Sequence, residues 1–223
     1  MDSEGYTTRK AEKSEASAIV SFLHEHHSPE AVITKGFFAK NRARITDAEI
    51  QLMDESWEKF VSEAPSLVTI HKASNQIVGA IVLVPVDNPN LYSEEKPSGE
   101  RSKILDEFDV IFERIYAEVN LVDRFPQAKR AMKLRSMAVH KDHRGKGLAK
   151  VLLRESVNWA KKHGFDLVHS FFTFPAAKKA ALRSGFSKVM DYDMHSVKDT
   201  DGSCAFADLS PNNVTSIMAL EIR

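Results

Sequence analysis

Between Val139 and Leu153 the chain reads V-H-K-D-H-R-G-K-G-L-A-K-V-L-L, a set of residue types suited to holding an anion against main-chain amides. Apolar Met137, Ala138 and Val139 run into a turn containing Arg144, Gly145 and Gly147, and an amphipathic helix is predicted directly after it. The two glycines lack a Cβ, so the backbone can bend sharply and a ligand can come close. A helix opening near Gly147 leaves its first N–H groups unpaired, and these amides together with the positive end of the helix dipole favour negative charge. The glycine spacing is neither G-x-G-x-x-G nor a Walker loop, which argues against a mononucleotide phosphate site of either kind.

Other residues could move protons. His24, His26 and His27 lie close to Glu30, and an unperturbed imidazole changes charge near neutrality. The H-x-H-H run lacks a third, separated ligand at a recognisable spacing, so no metal site is expected. Cys204, the only cysteine, sits in D-G-S-C-A-F without an intramolecular partner, which removes a disulfide framework, a cysteine zinc site and an identifiable activated thiol. His143 reads as a solvated turn residue.

The elements that must position these groups follow from periodicity and turn signals. Tyr6 to Ala11 is predicted as a strand, Ser14 to about His27 as a helix broken by Ser28-Pro29, and Ala31 to Lys40 as a second helix. A third helix is predicted from Thr46 or Asp47 to about Ala64, where Ile50, Met53, Trp57 and Phe60 recur at helical spacing. Leu67 to His71 and Ile77 to Val84 read as a hairpin with a Ser74-Asn75 turn, and Gly79 permits close packing on its buried second arm. Pro85 to Gly99 reads as a loop. Ile104, Leu105, Phe108, Ile111, Phe112, Ile115, Tyr116 and Val119 then mark one face of a long helix, from which Phe108 or Phe112 could reach an aromatic substrate pocket. Lys188 to Met194 and Val214 to Ile222 are strand-like, around a polar loop with Asp201-Gly202 and Ser210-Pro211. The predicted architecture is mixed α/β with a mainly antiparallel sheet, in one domain spanning 1–223.

Composition fits a compact enzyme: 223 residues, 43% hydrophobic, no apolar run long enough to cross a bilayer, and an N-terminal M-D-S-E-G unlike a signal peptide. The expected location is the cytosol, or the nucleus. Formal charge sums to +0, but unevenly: residues 124–163 carry twelve Lys or Arg against two acids, while residues 87–123 carry ten acids against four bases. Asp191, Asp193, Asp199, Asp201 and Asp208 add a second acidic group. Such poles suit an anionic cofactor over the turn and a cationic amine on the acidic side. No aromatic ladder or groove-reading motif accompanies the basic stretch, so nucleic acid is not the expected partner.

Arg144, Gly147 and Ala149 match the R-x-x-G-x-A acetyl-CoA signature, and by it the chain resembles the GCN5-related N-acetyltransferase (GNAT) superfamily. Downstream the order is also similar: Asp166 to Ser170 as a buried strand, Ala176 to Ser184 as a short helix, and Gly185-Phe186 as the pair that closes it. The M-K-L-R-S-M-A-V-H strand and the N-terminal layout resemble the invertebrate arylalkylamine N-acetyltransferase branch. The resemblance implies a sheet splayed at an acetyl-CoA cleft. It implies that backbone groups at Met137, Ala138 and Val139 align the acetyl-pantetheine arm, and that Arg144, Gly145, Lys146, Gly147, Leu148 and Ala149 meet the pyrophosphate. The tyrosine acid common in the superfamily is replaced by Ala181. Glu30, in S-P-E-A-V, then becomes the implied general base, Thr173 a group that positions the thiol or relays a proton, and Tyr192 an alternative acid. The expected activity is acetyl transfer to a small amine such as an arylalkylamine; protein N-terminal or lysine acetylation and a non-catalytic acyl-CoA module are the alternatives.

Overall fold

The computed structural model describes residues 2–3, 5–87, 102–199, 201–209 and 214–222. Its centre is an eight-stranded sheet in the order β1-β2-β3-β4-β5-β6-β8-β7, formed by β1 (Asp2–Ser3), β2 (Tyr6–Lys10), β3 (Leu67–His71), β4 (Gln76–Val86), β5 (Ala131–Val139), β6 (Leu167–Phe172), β7 (Ser187–Asp193) and β8 (Val214–Glu221). Every neighbouring pair is antiparallel except β5 and β6. Those two pair only from Ala131↔Leu167 to Lys133↔His169 and then part, which makes the splayed sheet that the resemblance implied. At the point of parting the Ser170 hydroxyl donates to the Leu134 carbonyl.

The helices are α1 (Ala16–His26), α2 (Val32–Lys40), α3 (Asp47–Glu63), α4 (Lys103–Val119), α5 (Leu121–Arg124), α6 (Leu148–Lys162) and α7 (Pro175–Arg183). None among the described residues is long and apolar enough to cross a membrane. α4 forms where its apolar spacing predicts. Ser102 accepts from the Leu105 N–H at 3.3 Å to open it, and Asn120, at φ 48, ends it. Its face of Ile104, Phe108, Ile111, Phe112, Ile115, Tyr116 and Val119 is buried on the sheet, at about 1.5–3 kcal/mol for each large side chain. α6 covers the other face, where Leu152 and Leu153 join Ile81, Leu83 and Met132. A Cβ on Gly79 would lie 3.2 Å from Leu152 Cδ1, so the expected close packing is present.

Besides the two-residue β1, three elements differ from the sequence expectation. Pro85 and Val86 continue β4, pairing with Met132 and Ala131; β3 reaches only Ile81, so Pro85 has a strand on one side alone, where a missing N–H is tolerated. The rest of the expected loop, 88–99, lies outside the described residues, as does Ser210-Pro211. The short α5 carries too little periodicity to be foreseen, and Met194 opens a 3-10 turn instead of ending a strand.

The segment after that turn is fastened to α2. Lys40 Nζ binds Asp199 at 2.8 Å, Ser203 Oγ at 2.7 Å and the Cys204 carbonyl at 2.8 Å, and Ala207 N–H donates to Gly36 O at 2.9 Å. A Cβ on Gly36 would sit 2.7 Å from the Ala207 carbonyl oxygen. In an ordinary helix Gly→Ala stabilises by about 0.5–1 kcal/mol. Here Gly36→Ala is expected to destabilise by about 1–3 kcal/mol because backbone must move, and a raised Tm would show that the α2 contact is not tight.

Candidate functional site

The turn between β5 and α6 is built by its own side chains. His140 Nδ1 accepts from the Asp142 N–H at 3.2 Å and starts a 3-10 turn over Lys141–His143. Arg144 Nε donates back to the Val139 carbonyl at 3.1 Å and fixes the turn to the strand. Gly145 and Gly147 both stand at φ 78, a backbone conformation that favours glycine. A Cβ at either would meet nothing within 4 Å, so open space lies in front of α6, whose start has no side-chain cap. Uncapped amides, clear space and the cations Arg144 and Lys146 fit a diphosphate.

Imidazoles border this cradle. Ring centroids run from His26 to His140 at 4.4 Å, from His140 to His143 at 5.4 Å and from His143 to His71 at 4.8 Å. His143 is not merely a solvated turn residue: its Nδ1 lies 3.0 Å from the Tyr6 hydroxyl. Desolvation first, then the neighbouring Lys146, lowers its pKa. Desolvation also lowers that of His26, whose ring packs on Phe22 at 4.7 Å. Among the described residues no group of His, Cys, Asp and Glu is arranged to hold a metal.

On the α4 face of the fork lies a cavity of about 480 Å³. α3 supplies Trp57 and Phe60 to its wall, α4 supplies Phe108, Asp109 and Phe112, and β5 supplies Lys133 to Ser136. A register shift between Val82↔Ser136 and Leu83↔Leu134 makes Arg135 the extra residue of a bulge. Its guanidinium lies 5.1 Å from the Trp57 ring and 5.2 Å from that of Phe60, which themselves stack at 5.4 Å. Thr215, buried in the lining, has a hydroxyl with no protein partner. The cavity is thus aromatic with polar groups at intervals.

The residues expected to be catalytic fall in three places. Thr173 lies in the cavity wall just beyond β6. Glu30 does not line the cavity; its Oε1 pairs with Arg144 at 2.8 Å, on the cradle. Tyr192 is buried beside α4, outside the lining, with its hydroxyl donating to Glu118 at 2.6 Å. Burial, then Glu118, pushes its pKa up to about 12, which makes it a poorer acid. Tyr192→Phe should therefore keep the wild-type kcat, whereas Thr173→Val should lower it if the hydroxyl assists the thiol; steady-state rates of both, with CoA binding measured separately, decide. Ala181 is fully buried in the core beside Phe186, so no polar group stands in its place.

Of the residues expected on the cofactor side, Ala138 is buried under α1, while Met137 and Val139 remain partly exposed toward α6. Lys133, Arg135 and Trp57 were not singled out from sequence as site residues. The strand alternation K-L-R was the available signal, since Lys133 falls on a buried position yet carries charge. Some of the acidic residues pair within the fold: Glu107 with Arg44, Asp199 with Lys40, and Asp191 with Lys188 and Ser216. Asp54 and Asp109 are the carboxylates that line the cavity among the described residues.

A family model described as Acetyltransferase (GNAT) family matches residues 36–186. Among solved structures the chain is similar to a mosquito arylalkylamine N-acetyltransferase-like 5b, with TM-score 0.76 and 20% identity over 97% of this chain and 100% of that one. It is similar also to a Drosophila melanogaster polyamine N-acetyltransferase that forms N-acetylagmatine, with TM-score 0.77 and 18% identity over 97% and 100%. A putative arylalkylamine N-acetyltransferase 7 of Aedes aegypti gives TM-score 0.77 and 19% identity over 98% and 88%. At these identities the structures show a shared fold. No curated protein matches the chain.

Proposed function

We propose that this chain, which belongs to the acetyltransferase (GNAT) family, transfers an acetyl group from acetyl-CoA to the primary amine of a small molecule. The observation that carries the reading is the β5/β6 fork, with a phosphate cradle at the end of β5 and an aromatic cavity on the α4 face. A cavity of about 480 Å³ has room for a drug-sized molecule, and its aromatic walls favour a small amine with an apolar body. The names of the similar structures, which include arylalkylamine and polyamine N-acetyltransferases, support the same class. The order of strands from one end of the sheet to the other supports a single catalytic domain, and the cytosol or nucleus remains the proposed location.

Acetyl-CoA supplies an activated thioester. The main-chain amides from Gly145 to Ala149, with Arg144 and Lys146, would hold its diphosphate, and the parted edge of β5 at Met137 to Val139 would align its arm. Ser136 and Thr173 face the cavity near the parting and are placed to steady the thiol end, while Trp57, Phe60, Phe108 and Phe112 exclude water and seat the acceptor. Release of CoA thiol, followed against aryl-alkyl, aliphatic and peptide amines, tests the proposal. Amine-dependent release with small acceptors is expected. Release with peptides alone would reassign the substrate, and tight CoA binding without any release would make the chain a binding module.

The Glu30 to Arg144 pair has its own consequence. Both side chains are about half exposed, so the pair itself contributes little to stability. Glu30→Gln frees Arg144 for the diphosphate, and CoA affinity is expected to rise by about two- to tenfold, the scale of one partly exposed charge contact. An unchanged CoA Kd would show that Arg144 does not take part in cofactor binding.

A further inference from the structure

We infer that His27 is the general base that takes the proton from the acceptor ammonium. This rests on the acetyltransferase reading above and adds a proton carrier to it. The carboxylate implied by family resemblance, Glu30, is engaged on the cradle with Arg144, whereas the His27 ring is part of the acceptor cavity wall. His27 follows the last residue of α1, and its N–H donates to the Leu23 carbonyl at 2.8 Å, so the ring is placed by the end of a helix and not by a loop tip. From there it reaches the Met137 backbone, on the parted edge of β5. That single contact brings a titratable group from the cavity to the strand along which the thioester arm would lie.

The Met137 backbone contact bears on the tautomer of the ring. A ring N–H that donates to a backbone carbonyl leaves the other nitrogen as an acceptor, and this tautomer is the one a base needs. Desolvation lowers the ring's pKa from its ordinary 6.5, opposed by the Met137 bond and by the charge of Glu30. The direction suits a base, which must be unprotonated to accept. The charge that acts on the ring is that of Glu30, and the charged and titratable groups that share the cavity wall with it are His24 from the same segment, Asp54 from α3, Asp109 from α4, and Lys133 and Arg135 from β5. His24 Nε2 is 3.8 Å from Asp54 Oδ1 and is about half exposed, so it faces a carboxylate at the rim.

The step balances without another reactant. The N–H bond of the substrate ammonium breaks, its proton passes to the free ring nitrogen of His27, and the electron pair left on nitrogen forms the bond to the acetyl carbon. The C–S bond breaks with its pair on sulfur, and the nitrogen, cationic once acylated, gives up its second proton, which reaches the departing thiolate through solvent or the Thr173 hydroxyl and leaves a neutral amide and the CoA thiol. His27 returns its proton to solvent before the next turnover.

The test compares wild type, His27→Gln and His27→Asn over a pH series, with an alkylamine acceptor and with an arylamine that is already neutral near pH 7. With the alkylamine, kcat/KM should fall by about 10²-fold or more, while CoA Kd stays within twofold. The wild-type profile should lose activity as pH drops through a value below the ordinary histidine pKa; the variants should lack that limb, and their deficit should shrink in alkali where the alkylamine is itself neutral. With the arylamine the deficit should be small. Equal losses for both acceptors would reduce His27 to a positioning residue, and an unchanged alkylamine profile would remove it from the mechanism. Ring titration of His27 by nitrogen-15 NMR in the CoA complex needs no turnover: a ring protonated near neutral pH overturns the role even in an active enzyme. A wild type that releases no thiol with any amine, yet shows a neutral His27, overturns the proposed activity instead.

Discussion

A folded Gly147→Glu protein will not bind CoA. Gly147 is the residue before α6 and stands at φ 78, so any side chain there costs about 1–2 kcal/mol of backbone strain. The protein can absorb that, because a Cβ at this position meets nothing within 4 Å and the nearby core side chains Leu148 and Leu152 are not displaced. What the new side chain occupies is the space in front of the first amides of α6. A carboxylate placed there takes the position of a phosphate, bonds the same N–H groups and repels the ligand's charge. Gly147→Ala separates the two effects, since it keeps the strain and adds no charge: its CoA affinity should fall much less. Calorimetric titration with CoA, beside a thermal melt of each variant, reads both quantities. Wild-type affinity in a folded Gly147→Glu protein would show that the diphosphate lies elsewhere.

That site was legible in the sequence because its requirements are local. Two glycines at positive φ, a helix start and two cations within a few residues can be read from one short stretch. The long helices were equally legible, since α3 and α4 each present one apolar face for four turns or more. The acceptor side was legible only in part: Phe108, Phe112, His27 and Thr173 could each be offered as candidates, but their meeting in one cavity could not, because it is assembled from parts far apart in the chain, and it includes Trp57 on α3 and Arg135 in a bulge of β5. Each of these has an unremarkable local sequence. A bulge follows from the pairing of two strands, and no periodicity within M-K-L-R-S-M-A-V announces which residue will be the extra one. Glu30 illustrates the same limit: a loop carboxylate beside three histidines suits proton transfer by its chemistry, but its partner, Arg144, comes from more than a hundred residues away. Charge counted along the chain is a coarser signal: Asp109 of the acidic stretch does line the cavity, while Glu107 and Asp199 pair with Arg44 and Lys40.

Replacing Trp57 by alanine is expected to raise the acceptor KM by about ten- to a hundredfold and to leave CoA affinity unchanged. The indole is half-buried and forms cavity wall, so its removal takes away contact surface on the order of 1–3 kcal/mol for a ring-bearing acceptor. It also removes one of the two rings beneath the Arg135 guanidinium, which at 5.1 Å is worth about 0.5–1 kcal/mol and holds that long side chain against α3. Without it Arg135 keeps Phe60 as a platform, at 5.2 Å, and the opening between α3 and β5 widens to admit water. Water in the cavity weakens every polar contact that orients the amine, so kcat should fall as well, though by less than KM rises. Aliphatic amines make fewer contacts with the wall and should lose less than aryl-alkyl amines. Trp57→Phe keeps a ring under Arg135 and should recover most of the activity. Steady-state kinetics with one acceptor of each kind decide the matter: an unchanged KM for both would place the acceptor away from α3, and a parallel loss of CoA affinity would mean that Trp57 supports the fork itself.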